Sequence, residues 1–476
     1  MNSENGWLLP AVIVTALALA GIAILVASRA VANSFNLTVY LIANVIVFID
    51  FLDFSLRLYF RRIGRRTDPS GALETASSAQ GVRGPGAQPQ RLPLRPYALV
   101  ASVHNLGDRV DTFLEAMEPY RDHLWVIDDA STDATPIRIR QAGCRCLAET
   151  DNRKKPGAIR RLVASLPAGI ETVMVLDPDV VVRESRIPEF SALETIIADF
   201  QRSGMAALCP RISIKEDGLL GRLQSLEYAM AFVLGRSSLA DQSITSGIAI
   251  YRRSALAALY ERHSLSVYGE DLENAVILMG AGERIYYDGR LVIETDGVSD
   301  WRHWFSQRVG WSYGLIKVYL EHFPEIWRGS RRRFITGYQY LVYLGGFGLV
   351  FQPLKIVAVV LLALSFANGL GSLFGFALFA DWAIADPIYF AAVYAKYLLL
   401  CVVAFWVVTP RGERLYVLPI VPLYFFYALL QVLPTSIGYA NWISMRAGGR
   451  RVFKDHYQDE ASLQRQRHRP VPMEKR

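Results

Sequence analysis

Uncharged runs long enough to cross a bilayer stand toward both ends of this chain, and from Pro93 to about Phe323 the pattern between them is that of a soluble α/β domain. Trp7 to Ser28 carries no charge over 22 residues, enough for a helix through a hydrocarbon core of about 30 Å. The preceding MNSENG has Glu4 and no base, and no small-x-small cleavage site follows, which argues for an anchor over a signal peptide. A second span is expected from about Asn36 to Arg57, with Asp50 and Asp53 near its end and Arg57 one turn after Asp53. The basic run from Arg61 to Arg66 then predicts, by the positive-inside rule, that the N-terminus and the chain after Phe60 are cytoplasmic. The sequon Asn36-Leu37-Thr38 falls at the membrane boundary and reads as an accident of composition. Residues 67–92, rich in Gly, Pro, Ser, Ala and Gln without periodicity, read as a flexible linker.

Hydrophobicity returns at Phe334, with uncharged runs over Phe334–Leu354, Ile356–Ala380, Tyr397–Pro410 and Leu415–Met445. If Arg331–Arg333 and Arg411/Arg414 are both cytoplasmic, an even number of crossings separates them, so Phe334–Phe351 is expected along the interface. Leu415–Met445 is too long for one span and too short for two; Pro419, Pro422 and Pro434 are the places to break it. The expected layout is two spans (1–60), a basic then flexible linker (61–92), a cytoplasmic domain (93–323), an interfacial helix with about three to four spans (324–445), and a basic tail (446–476). From Arg446 to Arg476 there are nine Lys/Arg against four Asp/Glu, which accounts for most of the formal charge of +7. A basic tail after apolar segments points to an anionic membrane surface, not nucleic acid. With 52% apolar and 20% charged residues, the chain is too apolar to be disordered. Cys144, Cys146, Cys209 and Cys401 have neither disulfide density nor paired zinc spacing, which indicates a reducing compartment.

Within the central domain, YALVASV (97–103), HLWVIDD (123–129), CRCLAET (144–150) and ETVMVLDPD (171–179) read as strands alternating with helices. That order implies a largely parallel sheet, whose ligands bind at the carboxyl ends of the strands, where the acids fall. Asp177-Pro178-Asp179 places two carboxylates just past a strand end, within reach of one Mg²⁺ or Mn²⁺ that also accepts phosphate oxygens. Acidic loops after strands are common, so this pair alone decides little. It is accompanied by Asp128 and Asp129 in VIDDASTD, where Ser131 and Asp133 form a helix N-cap pattern. Bases follow at Asn152–Ala158, then Tyr268-Gly269-Glu270-Asp271 and Gln307-Arg308-Val309-Gly310-Trp311.

In this set and order the chain resembles the family 2 inverting glycosyltransferases, in particular membrane polysaccharide synthases of the cellulose, chitin and hyaluronan type. The matching elements are D-D-x-S-x-D (Asp128 to Asp133), Lys-x-x-Ala (Lys155 to Ala158), D-x-D (Asp177, Asp179), S-G-x-x-x-Y-R-R (Ser246 to Arg253), G-E-D (Gly269 to Asp271) and a remnant of Q-x-x-R-W. The resemblance covers about Tyr97 to Trp311. It implies a GT-A-like, Rossmann-like nucleotide-sugar domain inserted between transmembrane helices of the cell membrane. It also implies that Asp129, Lys155 and Asp177 bind the UDP-sugar, that Asp177 and Asp179 hold Mg²⁺ or Mn²⁺, and that Asp271 is the general base. Ser246, Gly247, Gln307 and Trp311 would face the acceptor. For Asp271 the plainer reading is a carboxylate at a helix N-terminus; for Trp311 it is an interfacial tryptophan.

Two departures from the family pattern stand out. The Arg of Q-x-x-R-W falls on Gly310, and Arg308, at about 100° per residue, lies on the other side of Trp311 from it. In SVHNLGD (102–108) the usual proline is missing, and Leu106 stands where the family often has Glu. Trp406 to Gly412 looks like the F-x-V-T-x-K-G gating loop of cellulose synthases, with Thr409 and Arg411 as its Thr and base; a short basic turn between spans is the alternative. The expected function is a processive synthase that elongates and exports a β-linked glycan, with accessory export proteins or a second copy as possible partners. The alternative is transfer of one sugar to a lipid acceptor, which Gly310 favours. A non-catalytic scaffold is disfavoured by retention of the acids. The tail is too short for an appended cyclic-nucleotide-sensing barrel.

Overall fold

The computed structural model describes residues 34–64, 94–182, 193–215, 218–239, 242–332, 334–375, 387–409, 414 and 418–457. The first expected span, the linker, Arg411 and the tail beyond Tyr457 lie outside the described residues. The chain divides into two compact units, one of Met1–Tyr59 with Tyr343–Ile437, the other of Phe60–Val342 with Gly438–Arg476.

The second unit is built on an eight-stranded sheet: β1 (Tyr97–Val103), β2 (Leu124–Asp128), β3 (Arg145–Ala148), β4 (Thr172–Leu176), β5 (Val180–Val182), β6 (Ala207–Lys215), β7 (Ala249–Arg252) and β8 (Ile285–Asp296), in the order β3-β2-β1-β4-β7-β6-β8-β5. β1 pairs in parallel with β2 and β4, β2 with β3, and β6 with β8; β7 and β5 oppose their neighbours. Four of these seven pairings are parallel and three antiparallel, so the sheet is mixed; the largely parallel sheet expected from the alternating pattern holds only for β3-β2-β1-β4, the strands that carried that pattern. The sheet's central strands are mostly apolar and buried, with Leu99, Val126, Met174 and Ile250 fully buried in one core.

One connection shapes the sheet. β5 follows β4 after Asp177-Pro178-Asp179, yet β4 is the fourth strand in the order and β5 the last. Four residues of extended chain reach at most about 14 Å, whereas four strand spacings in a flat sheet amount to about 19 Å. The sheet must therefore curl, bringing the carboxyl end of β4 toward β8. A register shift between Pro210 and Arg211 in the β6–β8 ladder supplies one bend.

The other unit is helical. The Ser34–Gly64 helix starts and ends beyond the expected Asn36–Arg57, and Arg61 and Arg62 complement the carbonyl end of its last turn. Arg57 donates to Asp53 at 2.8 Å, the pairing expected from their spacing. Helices follow at Gln352–Leu373, Pro387–Val408 and Val421–Arg446. Lys396, the charge that interrupts the third apolar run, is buried and bonded to Asn44. The last apolar run resolves into a short turn, Leu418–Ile420, and one helix of 26 residues, about 39 Å long. Pro419 and Pro422 mark its start; Pro434 stays inside it, next to Thr435 and Ser436, whose hydroxyls bond to the carbonyls of Gln431 and Val432. Among the described residues, two segments are long and apolar enough to cross a membrane, Ala391–Val408 and Leu418–Arg446.

Within the α/β unit, two glycines fix the approach of the Trp301–Glu321 helix to the turn before the Glu270–Ala281 helix. Gly269 adopts φ +71°, and a Cβ on Gly314 would lie 2.6 Å from the Gly269 amide nitrogen and 2.8 Å from the Tyr268 carbonyl carbon. Backbone cannot yield as a side chain can. Gly314→Ala is expected to cost about 1–3 kcal/mol, measured as a lowered Tm of the full-length protein; an unchanged Tm would mean that the helix moves away freely.

Candidate active site

The carboxyl ends of β1, β2 and β4 lie along one edge, and the loops there are tied to one another. The first loop and the D-D-x-S-x-D loop are laced together: Asn105 N donates to Ser131 Oγ at 2.9 Å, and Gly107 N to Asp133 Oδ2 at 2.9 Å. Leu106 N donates to Thr135 Oγ1, so Leu106 serves through its backbone. Asp133 also accepts from Thr135 N at 3.0 Å, but the N-cap of the Thr135–Gln141 helix is Ala134, which brings no side-chain cap, so neither Ser131 nor Asp133 takes the expected N-cap position. Asp129 is 2% exposed, and its Oδ1 accepts from Arg153 N at 2.7 Å. Burial raises its carboxyl against the pull of that bond and of His104. Asp129 thereby fixes the turn into the Lys154–Ser165 helix, where Lys154 takes φ +60°.

That turn presents Lys155. Its Nζ lies 2.6 Å from Asp177 Oδ1, 2.6 Å from Glu270 Oε1 and 3.2 Å from the Gly247 carbonyl, so each of its three protons has an acceptor. Burial opposes the charge, but the two carboxylates win and hold the ammonium well above its usual pKa. Burial pushes the Glu270 carboxyl up, with Lys155 pulling it back. Gly247 is glycine for a visible reason: a Cβ there would sit 2.9 Å from Asp177 Oδ2 and 3.1 Å from Lys155 Nζ. Ser246 turns its hydroxyl inward to the Ile248 carbonyl and toward Cys209.

Asp179 accepts from Thr295 Oγ1 of β8 at 3.2 Å, across the junction that the curl creates. Burial and the neighbouring Asp177 charge push its carboxyl up to about 6. Crowded carboxylates of this kind suit a hard cation. Among the described residues no group of three or more His, Cys, Asp or Glu side chains is arranged to hold a metal alone. Asp177 and Asp179 fit a cation that takes its remaining ligands from water and phosphate.

Asp271 stands in the first turn of the Glu270–Ala281 helix, which also carries Glu270 and Glu273, where negative charge is favoured by the helix dipole. Thr245 Oγ1 donates to its carbonyl at 2.7 Å. Glu273 anchors the helix. It is fully buried and accepts from Ser264 N at 2.6 Å and Ser264 Oγ at 2.7 Å, with His322 Nε2 at 3.0 Å. Burial alone would raise its carboxyl, but these bonds and His263 lower it to about 2.

The Trp301–Glu321 helix places Gln307 and Trp311 on the same face, as their spacing predicts, and both line a cavity of about 560 Å³. Lys155, Asp177, Asp179, Ser246, Gly247 and Asp271 line the same cavity. Trp301, by contrast, is exposed and not part of that lining. Arg308 does not face the position of the missing base: its guanidinium lies 4.0 Å over the Trp311 ring and pairs with Glu227 at 2.7 Å, bracing the indole.

Two of the expected site residues that are described do not line this cavity. Asp129 does not line the cavity, and its carboxylate is engaged by the Arg153 amide. Thr409 belongs to the helical unit; its carbonyl accepts from Arg414 Nε at 3.3 Å, and Arg414 lies 4.6 Å over Trp406. Arg411 lies outside the described residues. Conversely, sequence reasoning missed Glu270 as the partner of Lys155, although it stands inside the G-E-D motif. It also missed His456 and Tyr457, which line the cavity from the expected lipid-facing tail. Within the described part of that tail, Asp455 is fully buried and accepts from the Tyr268 hydroxyl.

No protein-family model and no curated protein sequence matches the chain. Among solved structures, the chain is similar to a mannosyltransferase from Pyrobaculum calidifontis in complex with GDP-Man and Mn²⁺, at 17% identity and a TM-score of 0.44, over 75% of this chain and 98% of that one. It is also similar to glucosyl-3-phosphoglycerate synthase from Mycobacterium tuberculosis in complex with Mn²⁺, UDP-glucose and phosphoglyceric acid, at 17% identity and a TM-score of 0.32, over 47% and 79% of the two chains. Neither likeness reaches a TM-score of 0.5, so the chemistry of the site rests on its own residues.

Because the folded-state pKa of Glu273 lies below its ordinary value, its contribution to stability is present above about pH 4.5 and is lost as pH falls toward 2. Glu273→Gln is expected to cost about 1–3 kcal/mol at pH 7. Melting curves of the two proteins should converge as pH falls from about 5 to about 2; a gap independent of pH would show that the charged form is not what stabilises the helix.

Proposed function

We propose that this protein is a membrane-associated inverting glycosyltransferase that moves a sugar from a UDP-sugar to a hydroxyl acceptor. The observation that carries the reading is the cavity of about 560 Å³ lined together by the Asp177/Asp179 pair, the Asp271 carboxylate, which accepts from Leu272 N at 2.9 Å, and the exposed indole of Trp311. Those are the needs of one in-line displacement. Asp271 accepts the proton of the acceptor hydroxyl, the acceptor oxygen bonds to the anomeric carbon, and the bond from that carbon to the diphosphate oxygen breaks. A Mg²⁺ or Mn²⁺ held by Asp177 and Asp179 would neutralise the departing diphosphate. Lys155 adds a positive charge beside it, already balanced between Asp177 and Glu270 and free to shift toward phosphate oxygens. Asp129 acts by shaping the nucleotide-side turn. Trp311, braced by Arg308, offers a face for a sugar ring, with Gln307 one turn away.

The acceptor is a growing glycan in the preferred reading. In its favour, the helical unit encloses a cavity of about 320 Å³ whose lining includes Asp50, Gln352, Lys355, Gln431 and Thr435, polar groups of the kind that hydrate a saccharide in passage. A lipid carrying a single acceptor hydroxyl is the second reading, favoured by glycine at position 310. Membranes incubated with labelled UDP-sugars and Mn²⁺ distinguish the two by product size: a long polymer supports the first, a lipid bearing one sugar the second, and no product from any donor ends both.

Asp271→Asn is expected to lower turnover by roughly 10²–10⁴-fold, the usual contribution of a general base, while UDP affinity stays near that of the wild type. Parallel loss of UDP affinity would instead make Asp271 a nucleotide-site or structural residue. Trp311→Ala should depress transfer to the acceptor far more than hydrolysis of the donor by water, and more than Trp301→Ala does in the same membranes. Equal, mild effects at the two positions would remove the acceptor role.

A further inference from the structure

The residues that follow the Val421–Arg446 helix are packed with a specificity that a solvated basic tail would not have. Asn441, fully buried, accepts from Val452 N at 2.8 Å and Phe453 N at 3.1 Å and donates to the Phe453 carbonyl at 2.8 Å. Arg451 lies 4.6 Å over the Tyr268 ring and 4.4 Å over Tyr313, and pairs with Asp455. The Tyr268 hydroxyl donates to Asp455 Oδ1 at 3.0 Å. Tyr268 immediately precedes Gly269-Glu270-Asp271, so this strap is clamped to the turn that carries the base. The two residues beyond Asp455 are thereby delivered into the cavity.

There the strap meets the place where the family motif loses its arginine. A Cβ on Gly310 would lie 2.9 Å from both Cε1 and Nδ1 of His456, so the imidazole fills the space that any side chain at 310 would need. His456 Nδ1 is buried and has no hydrogen-bond partner among the described residues, an arrangement that costs free energy unless a ligand completes it. Tyr457 packs on His456 with ring centroids 3.8 Å apart and on Tyr268 at 4.9 Å. We propose that His456 and Tyr457 are acceptor-binding residues supplied by the C-terminal strap, and that Gly310 is glycine in order to admit them; this rests on the transferase reading above.

The chemistry selects the acceptor over the diphosphate. Burial lowers the imidazole to about 4, with His303 and Arg308 pushing the same way and a hydrogen bond to the Ser306 backbone opposing them, so the ring is neutral near pH 7. A neutral imidazole is a poor substitute for an arginine on a diphosphate, but its unpartnered Nδ1 can bond a sugar hydroxyl, which donates or accepts to suit the tautomer. The phenol ring of Tyr457 and the indole of Trp311 line the same cavity and suit the apolar face of a pyranose. The site is therefore incomplete without a segment far from it in sequence.

The test uses full-length protein in membranes, with UDP-glucose, UDP-N-acetylglucosamine and UDP-galactose as donors, and scores sugar transferred against sugar released to water. UDP affinity in Mn²⁺ is measured alongside. His456→Ala and Tyr457→Ala should each lower the ratio of transfer to hydrolysis by about 3- to 10-fold, the equivalent of one neutral hydrogen bond or contact, with the UDP Kd within about twofold of wild type. Gly310→Ala, by displacing the imidazole, should reproduce His456→Ala, and the double variant should be no worse than either single one. His456→Asn, which keeps a donor and an acceptor, should recover part of the loss. An unchanged ratio in the His456 and Tyr457 variants, additive losses in the double variant, or a fall in UDP affinity parallel to transfer would overturn the assignment while leaving the transferase reading intact. Wild-type membranes that turn over none of these donors and no other nucleotide-sugar would instead sink the transferase reading, and the acceptor role with it.

Discussion

One ammonium group holds the acidic rim of the α/β unit together. Lys155 contacts Asp177 after β4, Glu270 at the start of the next acidic turn, and the Gly247 carbonyl before β7. The carboxylates of Asp177, Asp179 and Glu270 in so small a space would repel one another without it, and burial sharpens the repulsion because the surrounding dielectric is low. The arrangement also explains why position 247 has no side chain, since the ammonium and Asp177 fill the space a Cβ would occupy. Removing one member of such a cluster leaves the others unpaired, which costs more than the intact cluster contributes. The Asp177 loop and the Glu270–Asp271 turn are thus coupled electrostatically through one ammonium.

The second constraint is close approach of backbone to backbone and of ring to backbone. Gly314 lets the Trp301–Glu321 helix touch the turn at Tyr268–Gly269, and Gly310 lets His456 sit against the same helix. These two contacts, one turn apart on one helix, put the indole of Trp311, the Asp271 turn and the C-terminal strap around a common space. The curl of the sheet does the same for Asp179, in the link from β4 to β5, and Thr295 of β8, the strand that β5 pairs with. The cavity is therefore a product of three independent approaches and of no single motif.

The helical unit shows how apolar segments tolerate charge. Lys396 is accommodated by Asn44, and Asp53 by Arg57, so each buried charge finds a polar partner on a helix. Pro434 is tolerated inside the last helix beside two hydroxyl residues that bond back to carbonyls one turn earlier.

Much of the site could be read before the fold was known. The alternation of short apolar strands with helices, the acids at Asp128 and Asp177, and the shared face of Gln307 and Trp311 are local properties, fixed by periodicity and by where a strand must end. The helix boundaries were less legible, because the apolar runs around Pro387 and Leu415 contain charges and prolines whose cost depends on a neighbour such as Asn44. The partners of Lys155, the diversion of Asp129 to the Arg153 amide, and Arg308 lying on Trp311 instead of facing position 310 were decided only by tertiary structure. So was the return of His456 and Tyr457 from a tail whose net charge suggested a membrane surface. In each case the deciding energy is a contact between residues distant in the chain: a carboxylate choosing between an amide and an ammonium, or an imidazole filling the gap above a glycine. Pattern and composition establish which groups can bury or carry charge; only close packing determines which of them meet.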